Sequence, residues 1–400
     1  MEPGDFVEEG EVVHVECKMN NLTAFLGSVL CGDGFFSAEF PKCKVVCDSQ
    51  HLEGLSTIYN VFAPYGQFVE SSLHRFGIPI GSVVEINCAS GFKRDFNWQT
   101  EFLTNRQNLT CLPNGTFDQV RVACIQDCGH PLVSIYPLTK GGIQTDPNKV
   151  PWHVSIYQRV ENEWVFICGG SIITPRLILS AAHCFWDNKL RQLFSQNQFQ
   201  FVAGKYRRGF NDPETGKPQI RNAQIIHVSE RFEGPRNRSF ADIAVIKLDL
   251  SLIYNENVSA ICYKPAGGLT RYFVPSNITG IVTGYNELNN SLEQVTMTSA
   301  GYNECILHDS IGATLSPDKF CLYNGHDEGV CRGDSGSGFA QELKIYGEAL
   351  FSLLGIISFS PGTVNGCARE GYIAVTNAKY MLDDLFNKFR KEMEEDLSLL

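Results

Sequence analysis

The chain has 400 residues, of which 43% are hydrophobic and 19% charged, and its formal net charge is −11 at pH 7. This length exceeds what one hydrophobic core usually serves, so we expect two or three domains. The negative charge and the lack of a basic run argue against nucleic acid and anionic membranes as partners. The longest apolar stretch, about residues 349–359, is too short to span a bilayer.

Fifteen cysteines indicate an oxidising compartment. Secretion also fits the seven Asn-x-Ser/Thr sequons, at Asn21, Asn108, Asn114, Asn237, Asn257, Asn277 and Asn289. Residues 1–9 are acidic and lack an apolar segment, so they are no signal peptide. We therefore expect either a cytosolic protein or a secreted, extracellular one whose natural N-terminal part is missing from this sequence, and the cysteines favour the second.

Two cysteine-containing segments make up residues 1–125. In the first, β-type residues alternate up to Cys17, and Cys31-Gly-Asp-Gly-Phe and Pro-Lys-Cys43 follow. The second repeats the pattern in full from Cys47 to Cys124. Both resemble the sushi (complement control) module, which implies a partial module at 1–43 and an extended one at 44–125. Such modules bind partners and carry no chemistry.

The sushi resemblance implies disulfides between the first and third and the second and fourth cysteines, here Cys17–Cys43, Cys47–Cys111 and Cys88–Cys124. Cys31 is left over. Its partner either precedes residue 1 or is absent, in which case Cys31 is a free or intermolecular thiol. Disulfides contribute about 2–4 kcal/mol each to modules too small to bury a large core.

Ser335 stands in the tetrad Gly333-Asp-Ser-Gly336. Glycines on both sides free the backbone, so main-chain N–H groups can turn toward one point. A serine displayed there can attack a carbonyl, and the N–H groups of Gly333 and Ser335 can hold the resulting oxyanion. The tetrad alone fits a surface turn equally well, so a base and an orienting acid are required elsewhere.

His183 and Asp242 are the candidates for that base and acid. His183 follows the apolar run 171–179, and Asp242 opens an apolar strand, where we expect it to be half buried. A lone His or Asp is more often structural. Three such motifs in the order His183, Asp242, Ser335 resemble the chymotrypsin-like serine proteases, over about residues 128–392.

The resemblance implies an all-β fold, a trypsin-like double β-barrel with a C-terminal helix. It places a linker and activation segment at 126–138 and the protease domain at 139–400. The composition independently predicts short strands separated by Gly, Pro and Asn turns, for example 150–157, 164–173, 199–204, 278–285 and 350–359. Residues 377–395 are predicted to be helical, since Met381, Leu385 and Phe389 recur at a spacing of four.

Catalytic roles follow from the same resemblance. Ser335 would be the nucleophile, His183 the general base, and Asp242 the group that orients the imidazole, with Ser358 hydrogen-bonded to it. The family also implies four further disulfides: Cys128–Cys262, Cys168–Cys184, Cys305–Cys321 and Cys331–Cys367.

Family members that cut after Arg or Lys carry an Asp six residues before the nucleophile, where this chain has Gly329. Burying a cation there without a counter-charge would cost several kcal/mol. We therefore predict cleavage after apolar residues such as Leu, Phe or Tyr, with Ser360 and Gly371 as pocket walls.

The family is made as zymogens, whose new N-terminus pairs with the residue before the nucleophile, here Asp334. Counting from Pro151-Trp152 and Gly141-Gly142 places that N-terminus at Thr139, after Leu138. Thr is more polar than the usual Ile or Val, so its insertion should be weaker. Leu138 suits the predicted apolar pocket, which predicts self-processing.

This combination of features resembles the arthropod modular serine proteases, which initiate extracellular cascades leading to Toll signalling and melanisation. It implies recruitment by a pattern-recognition protein, cleavage of a clip-domain protease zymogen, and serpin inhibitors as further partners. We expect no cofactor and no metal, because Lys205 stands where some relatives have a calcium-binding acid. The alternatives are a complement-type sushi protease that cuts after Arg and a catalytically silent homologue that acts as a binding cofactor.

Overall fold

The structure is a computed structural model. It describes residues 12–19, 22–32, 35–36, 46–47, 57–63, 68–69, 78–89, 91–94, 106–119, 124–131, 143–214, 216–234, 239–263, 274–286, 289–300, 302–307, 311, 315–324, 334–345, 348–359, 371–378 and 385–386. The chain divides into two compact units. The first comprises Met1–Ala89 with Lys93–Cys124, and the second Ser90–Phe92 with Ile125–Leu400. The finer domain boundaries remain predictions.

The described residues up to 126 are mostly strands. They are β1 (Val12–Met19), β2 (Leu22–Gly32), β3 (Phe35–Phe36), β4 (Val46–Cys47), β5 (Thr57–Phe62), β6 (Phe68–Val69), β7 (Ile78–Pro79), β8 (Val83–Cys88), β9 (Phe92–Arg94), β10 (Arg106–Thr110) and β11 (Cys124–Gln126). Strands β1, β2 and β3 form one antiparallel sheet, and β10, β8, β5 and β6 form another.

A small core lies in the first unit, beside the second of these sheets. It is built around the disulfide Cys47–Cys111, on which Val61, Ile78 and Val84 pack with no solvent exposure. Strand β8 alternates between buried and half-buried residues, the period of two that is typical of a sheet with one covered face. A second disulfide joins Cys88 to Cys124.

The second unit contains a closed barrel of six strands, which we call barrel 1. Strand β12 (Ile143–Gln144) precedes it. Its strands are β13 (His153–Val160), β14 (Glu163–Ile172), β15 (Leu177–Ser180), β18 (Phe199–Ala203), β19 (Gln219–Val228) and β20 (Ala244–Leu248), ordered β13-β14-β15-β20-β19-β18. The two-stranded ribbon β16 (Trp186–Asp187) and β17 (Gln192–Leu193) lies within its loops. Strand β15 is buried at all four positions, as its run Leu-Ile-Leu-Ser predicts.

Six further strands form barrel 2: β21 (Thr279–Tyr285), β22 (Leu292–Ala300), β23 (Lys319–Asn324), β24 (Gly338–Ile345), β25 (Glu348–Phe359) and β26 (Gly371–Asn377). They are ordered β22-β21-β24-β25-β26-β23, and pairing of β22 with β23 closes the ring. Strand β12 adds to the outside of β22. The interior contains Leu322, Phe339 and Val375, each with no exposed surface.

Helix is rare in the described residues. They contain helix α1 (Tyr302–Ile306) and the 3₁₀ turns Pro147–Lys149, Ala182–Phe185 and Gln196–Gln198. Most of the predicted C-terminal helix lies outside them, although Ala378, Leu385 and Phe386 have helical backbone. No helix in the described part of the chain is long and apolar enough to cross a membrane. The predicted all-β double barrel is confirmed.

Three disulfides tie loops to the barrels of the second unit: Cys128–Cys262, Cys168–Cys184 and Cys305–Cys321. Each of these pairs is one that the resemblance implies. Cys43, Cys331 and Cys367 lie outside the described residues, so the pairs Cys17–Cys43 and Cys331–Cys367 remain predictions.

Candidate active site

Asp242 lies just before strand β20, with its carboxylate completely buried. Oδ1 accepts a hydrogen bond from the backbone N–H of His183 at 2.9 Å, and Oδ2 lies 2.8 Å from His183 Nδ1. The Ser358 hydroxyl donates a third bond to Oδ2 at 2.5 Å. The prediction that Asp242 is half buried was wrong, because these three donors replace the water that a carboxylate at a strand start would otherwise need.

His183 lies in the 3₁₀ turn Ala182–Phe185, which follows β15. The disulfide Cys168–Cys184 fixes the next residue to strand β14, and the backbone bond to Asp242 fixes His183 itself. The side chain is 27% exposed, so the imidazole has one face toward solvent. Because Nδ1 faces the carboxylate, Nδ1 carries the proton and Nε2 is left as the basic atom.

Ser335 is presented by a sharp turn. Gly336 has φ +83°, and a Cβ atom there would lie 2.2 Å from Ser180 Oγ and 2.5 Å from the carbonyl oxygen of Gly169. Only glycine fits this position. The carbonyl of Ser335 accepts from the N–H of Gly169 at 2.9 Å, and the N–H of Gly336 donates to the carbonyl of Ile357 at 2.8 Å.

These bonds bring the three predicted residues together. Gly169 follows Cys168, whose disulfide partner is next to His183, and Ile357 precedes Ser358, which binds Asp242. In the described part of the chain no hydrogen bond joins Ser335 Oγ to His183 Nε2. The arrangement supplies a hydroxyl, a base on a neighbouring segment and a buried acid bonded to the base, the groups that acyl transfer needs.

Two opposed effects act on the protonation of the His–Asp pair. Burial alone lowers the pKa of His183 and raises that of Asp242. The attraction between the two charges and their hydrogen bond outweigh burial. The pKa of His183 is therefore raised above its ordinary 6.5, and that of Asp242 is lowered below its ordinary 3.8.

The predicted zymogen residue Asp334 is also buried, at 7% exposure. Its Oδ1 accepts from the N–H of Tyr285 at 3.3 Å. The carboxylate lies so close to Gly284 that a Cβ atom there would be 1.9 Å from Oδ1. Strand β21 therefore needs glycine at this position to admit the carboxylate.

Several predicted site residues lie outside the described part of the chain: Leu138, Thr139, Gly329, Gly333 and Ser360. Gly371 is described, and it opens strand β26 opposite Asn324 of β23. Sequence reasoning missed Lys319, a buried lysine whose charge acts on Asp242. A lysine directly after an aspartate is typical of a solvated turn, so the sequence carries no signal for it.

The Trypsin family profile matches residues 139–382, more than half of the chain. The chain belongs to the Trypsin family. Modular serine protease of Drosophila melanogaster is 28% identical to this trypsin-family chain over 395 residues, which is 96% of the chain and 60% of that relative. The chain therefore spans less than two thirds of that relative's length.

Two other relatives match a smaller share of the chain. Limulus clotting factor C of Carcinoscorpius rotundicauda is 28% identical over 282 residues, 67% of this chain and 27% of the relative. Chymotrypsin-C of Bos taurus is 26% identical over 249 residues, 60% of this chain and 86% of the relative. The matched region is thus the domain of a serine-type endopeptidase.

Two features of this protease concern metals. Lys205, in the loop after β18, is buried, and its ammonium lies 2.9 Å from Glu214 Oε1. Glu214 also accepts from the N–H groups of Tyr206 and Arg207. The atoms of Cys168, His183 and Cys184 lie within 4.8 Å of one another, but the two sulfurs form a disulfide and are not free to bind a cation.

The raised pKa of His183 predicts how activity depends on pH. A general base acts only when neutral, so kcat/KM of the activated protease should rise with pH and reach half its plateau above pH 6.5. Initial rates of peptide hydrolysis between about pH 5 and pH 9 would measure this limb. His130→Gln, which alters a partly exposed histidine beside Asp127, should leave the midpoint unchanged. A midpoint at or below 6.5 in the unmodified protease would contradict the prediction.

Proposed function

We propose that this protein is a secreted zymogen of a serine endopeptidase that activates itself and starts an extracellular proteolytic cascade, cutting a downstream protease zymogen after an apolar residue. The observation that carries the proposal is the buried carboxylate of Asp242, hydrogen-bonded to both His183 and Ser358. Ser335 lies on a glycine turn that is hydrogen-bonded to Gly169 and Ile357, which are close in sequence to Cys168 and Ser358.

In the proposed mechanism, His183 Nε2 takes the proton of the Ser335 hydroxyl as its oxygen attacks the substrate carbonyl. Asp242 stabilises the imidazolium that forms, and the N–H groups of Gly333 and Ser335 hold the oxyanion. His183 then gives the proton to the leaving amine. Water attacks the acyl-enzyme by the same route and releases the acid.

The proposed substrate preference depends on Gly329. A pocket that lacks a carboxylate at its base leaves a bound Arg or Lys unpaired, whereas Leu, Phe or Tyr meets no such cost. Ser360 and Gly371 would line the walls. Strand β25 ends at Phe359, so an extended substrate could add to it as a further strand.

Activation is proposed to occur by cleavage between Leu138 and Thr139. The freed α-amino group would reach Asp334, whose carboxylate is buried, and form an ion pair there. Leu138 matches the proposed apolar preference, so one activated molecule could activate another.

The place in a cascade is supported by the similarity to Modular serine protease over 96% of the chain, which includes the N-terminal modules. By the resemblance to arthropod modular serine proteases, the cascade would be an innate-immune one that leads to Toll signalling and melanisation, with a clip-domain protease zymogen as the substrate. The modules would bind a pattern-recognition protein, and serpins would inhibit the enzyme. Secretion fits the disulfides and four exposed sequon residues, Asn108, Asn114, Asn277 and Asn289.

The test uses the full chain, expressed by secretion both as the wild type and as Ser335→Ala. N-terminal sequencing of the cleaved product should give Thr139 for the wild type alone. Peptides with Leu, Phe or Tyr before the cut should be hydrolysed about 100-fold faster than matched Arg or Lys peptides.

A matched variant sharpens this experiment. Gly329→Asp should reverse the preference toward Arg and Lys, because it restores the counter-charge. A wild-type preference for Arg would favour the complement-type alternative. A folded wild type that never cleaves any peptide would favour the silent homologue, and either result would overturn the proposal.

A further inference from the structure

Barrel 2 contributes a buried ion pair to the neighbourhood of Asp242. Asp318 and Lys319 stand at the start of strand β23, and both side chains are completely buried. Lys319 Nζ lies 3.1 Å from Asp318 Oδ2. Buried charges are costly unless they are paired and hydrogen-bonded, so a pair retained here needs a reason.

The pair holds the backbone that leads into Asp242. Lys319 Nζ donates to the carbonyl of Ser239 at 2.7 Å, and Asp318 Oδ2 accepts from the N–H of Ala241 at 2.9 Å. Ser239 and Ala241 have φ angles of 49° and 57°. This left-handed region is unfavourable for residues with a Cβ atom and persists only where the surroundings impose it.

A second connection runs through Thr376 of strand β26. Lys319 Nζ donates to Thr376 Oγ1 at 3.3 Å, and Thr376 Oγ1 donates to the backbone carbonyl of Asp242 at 3.0 Å. Lys319 therefore reaches the backbone of residues 239–242 at both ends. The acid of the proposed triad belongs to barrel 1, but these anchors of its backbone come from barrel 2.

Lys319 also acts through its charge. Its positive charge lowers the pKa of Asp242. It also lowers the pKa of His183, but by less than Asp242 raises that pKa. Among the described residues, the charged groups that act on this pair are His183, Asp242 and Lys319, and Lys319 in turn faces Asp318. The other hydrogen bonds of the Lys319 ammonium among these residues go to neutral oxygens of Ser239 and Thr376.

We propose that Lys319 and Asp318 are positioning residues for proteolysis, which hold residues 239–242 so that Asp242 faces His183 and which put a buried positive charge behind its carboxylate. This inference rests on the triad proposed above. Lys205 and Glu214 offer a matched comparison, since they form a buried Lys–carboxylate pair at 2.9 Å that is not among the groups shifting the pKa of His183 or Asp242.

The experiment compares Lys319→Met, Asp318→Asn and the control Lys205→Met in the full-length activated protease. Lys319→Met should lower kcat about 10- to 100-fold, since misplaced catalytic groups cost rates of this order, with little change in KM. Its acidic limb of kcat/KM should move to higher pH, because His183 loses a repelling charge. Asp318→Asn should move the limb to lower pH, because Lys319 then lacks its counter-charge.

Opposite shifts of the acidic limb in Lys319→Met and Asp318→Asn distinguish positioning and charge from a mere loss of stability. Lys205→Met should lose stability as well, but its acidic limb should stay in place. Thr376→Val removes one connection without leaving a charge unpaired. Thr376→Val should lower kcat and leave the acidic limb of kcat/KM in place. This variant tests the positioning role if Lys319→Met does not fold. Wild-type kcat and pH profile in the Lys319 or Thr376 variant, or equal shifts in Lys205→Met, would overturn the inference alone. Activity in Ser335→Ala would instead overturn the proposed triad and this inference with it.

Discussion

Replacing Ser335 with alanine is expected to lower kcat for peptide hydrolysis by about 10⁶-fold, and combining it with His183→Ala should lower kcat no further. The base has nothing to deprotonate once the hydroxyl is gone, and the hydroxyl is a poor nucleophile once the base is gone. The two changes therefore remove the same chemical step. Burst and steady-state rates with a Leu peptide would measure it, after immobilised wild-type protease has cleaved the inactive variants at Leu138 and has been removed.

Ser337 supplies the control for this prediction. It lies two residues beyond Ser335, and its hydroxyl is buried without a hydrogen-bond partner among the described residues. Ser337→Ala removes an unsatisfied polar atom, so activity should stay within about 10-fold of the wild type and folding should not suffer. Additive losses in the Ser335 and His183 variants would mean that the two residues do not act as a unit.

Much of the fold could be predicted because its strands are short and apolar. The predicted strand at 199–204 is β18 (Phe199–Ala203), and the one at 278–285 is β21 (Thr279–Tyr285). The pairing of strands is harder, since it depends on contacts between distant segments. Leu177 pairs with Lys247 across β15 and β20, and no local pattern indicates that partner.

In the candidate site, too, the residues in local motifs could be predicted from those motifs, and the contacts between distant segments could not. His183, Asp242 and Ser335 each stand in a local motif, so sequence reasoning could find them. The local motif around Asp242 indicated half burial, because its donors on His183 and Ser358 are remote in the chain, and only the family resemblance implied them. Lys319 was missed for a related reason, since its partner Ser239 lies 80 residues away.

Replacing Asp242 with asparagine should lower kcat/KM by about 10⁴-fold near neutral pH while leaving the fold intact. An asparagine must place its oxygen toward the backbone N–H of His183, because that donor cannot change. Its NH₂ group then faces His183 Nδ1, which becomes the acceptor. The proton moves to Nε2, and the atom that should receive the Ser335 proton is already protonated.

The size of the loss in kcat/KM distinguishes control of the His183 tautomer from a purely structural role of the buried carboxylate. Asp187→Asn is a suitable control, since the Asp187 carboxylate also accepts two backbone N–H groups, from Lys189 and Leu190, but faces no histidine among the described residues. Its kcat/KM should match the wild type. Because hydroxide can itself accept the Ser335 proton when His183 cannot, activity of the Asp242 variant should recover partly at high pH. A loss below about 10-fold at neutral pH, in a variant with a wild-type unfolding temperature, would contradict Asp242 as the residue that orients His183.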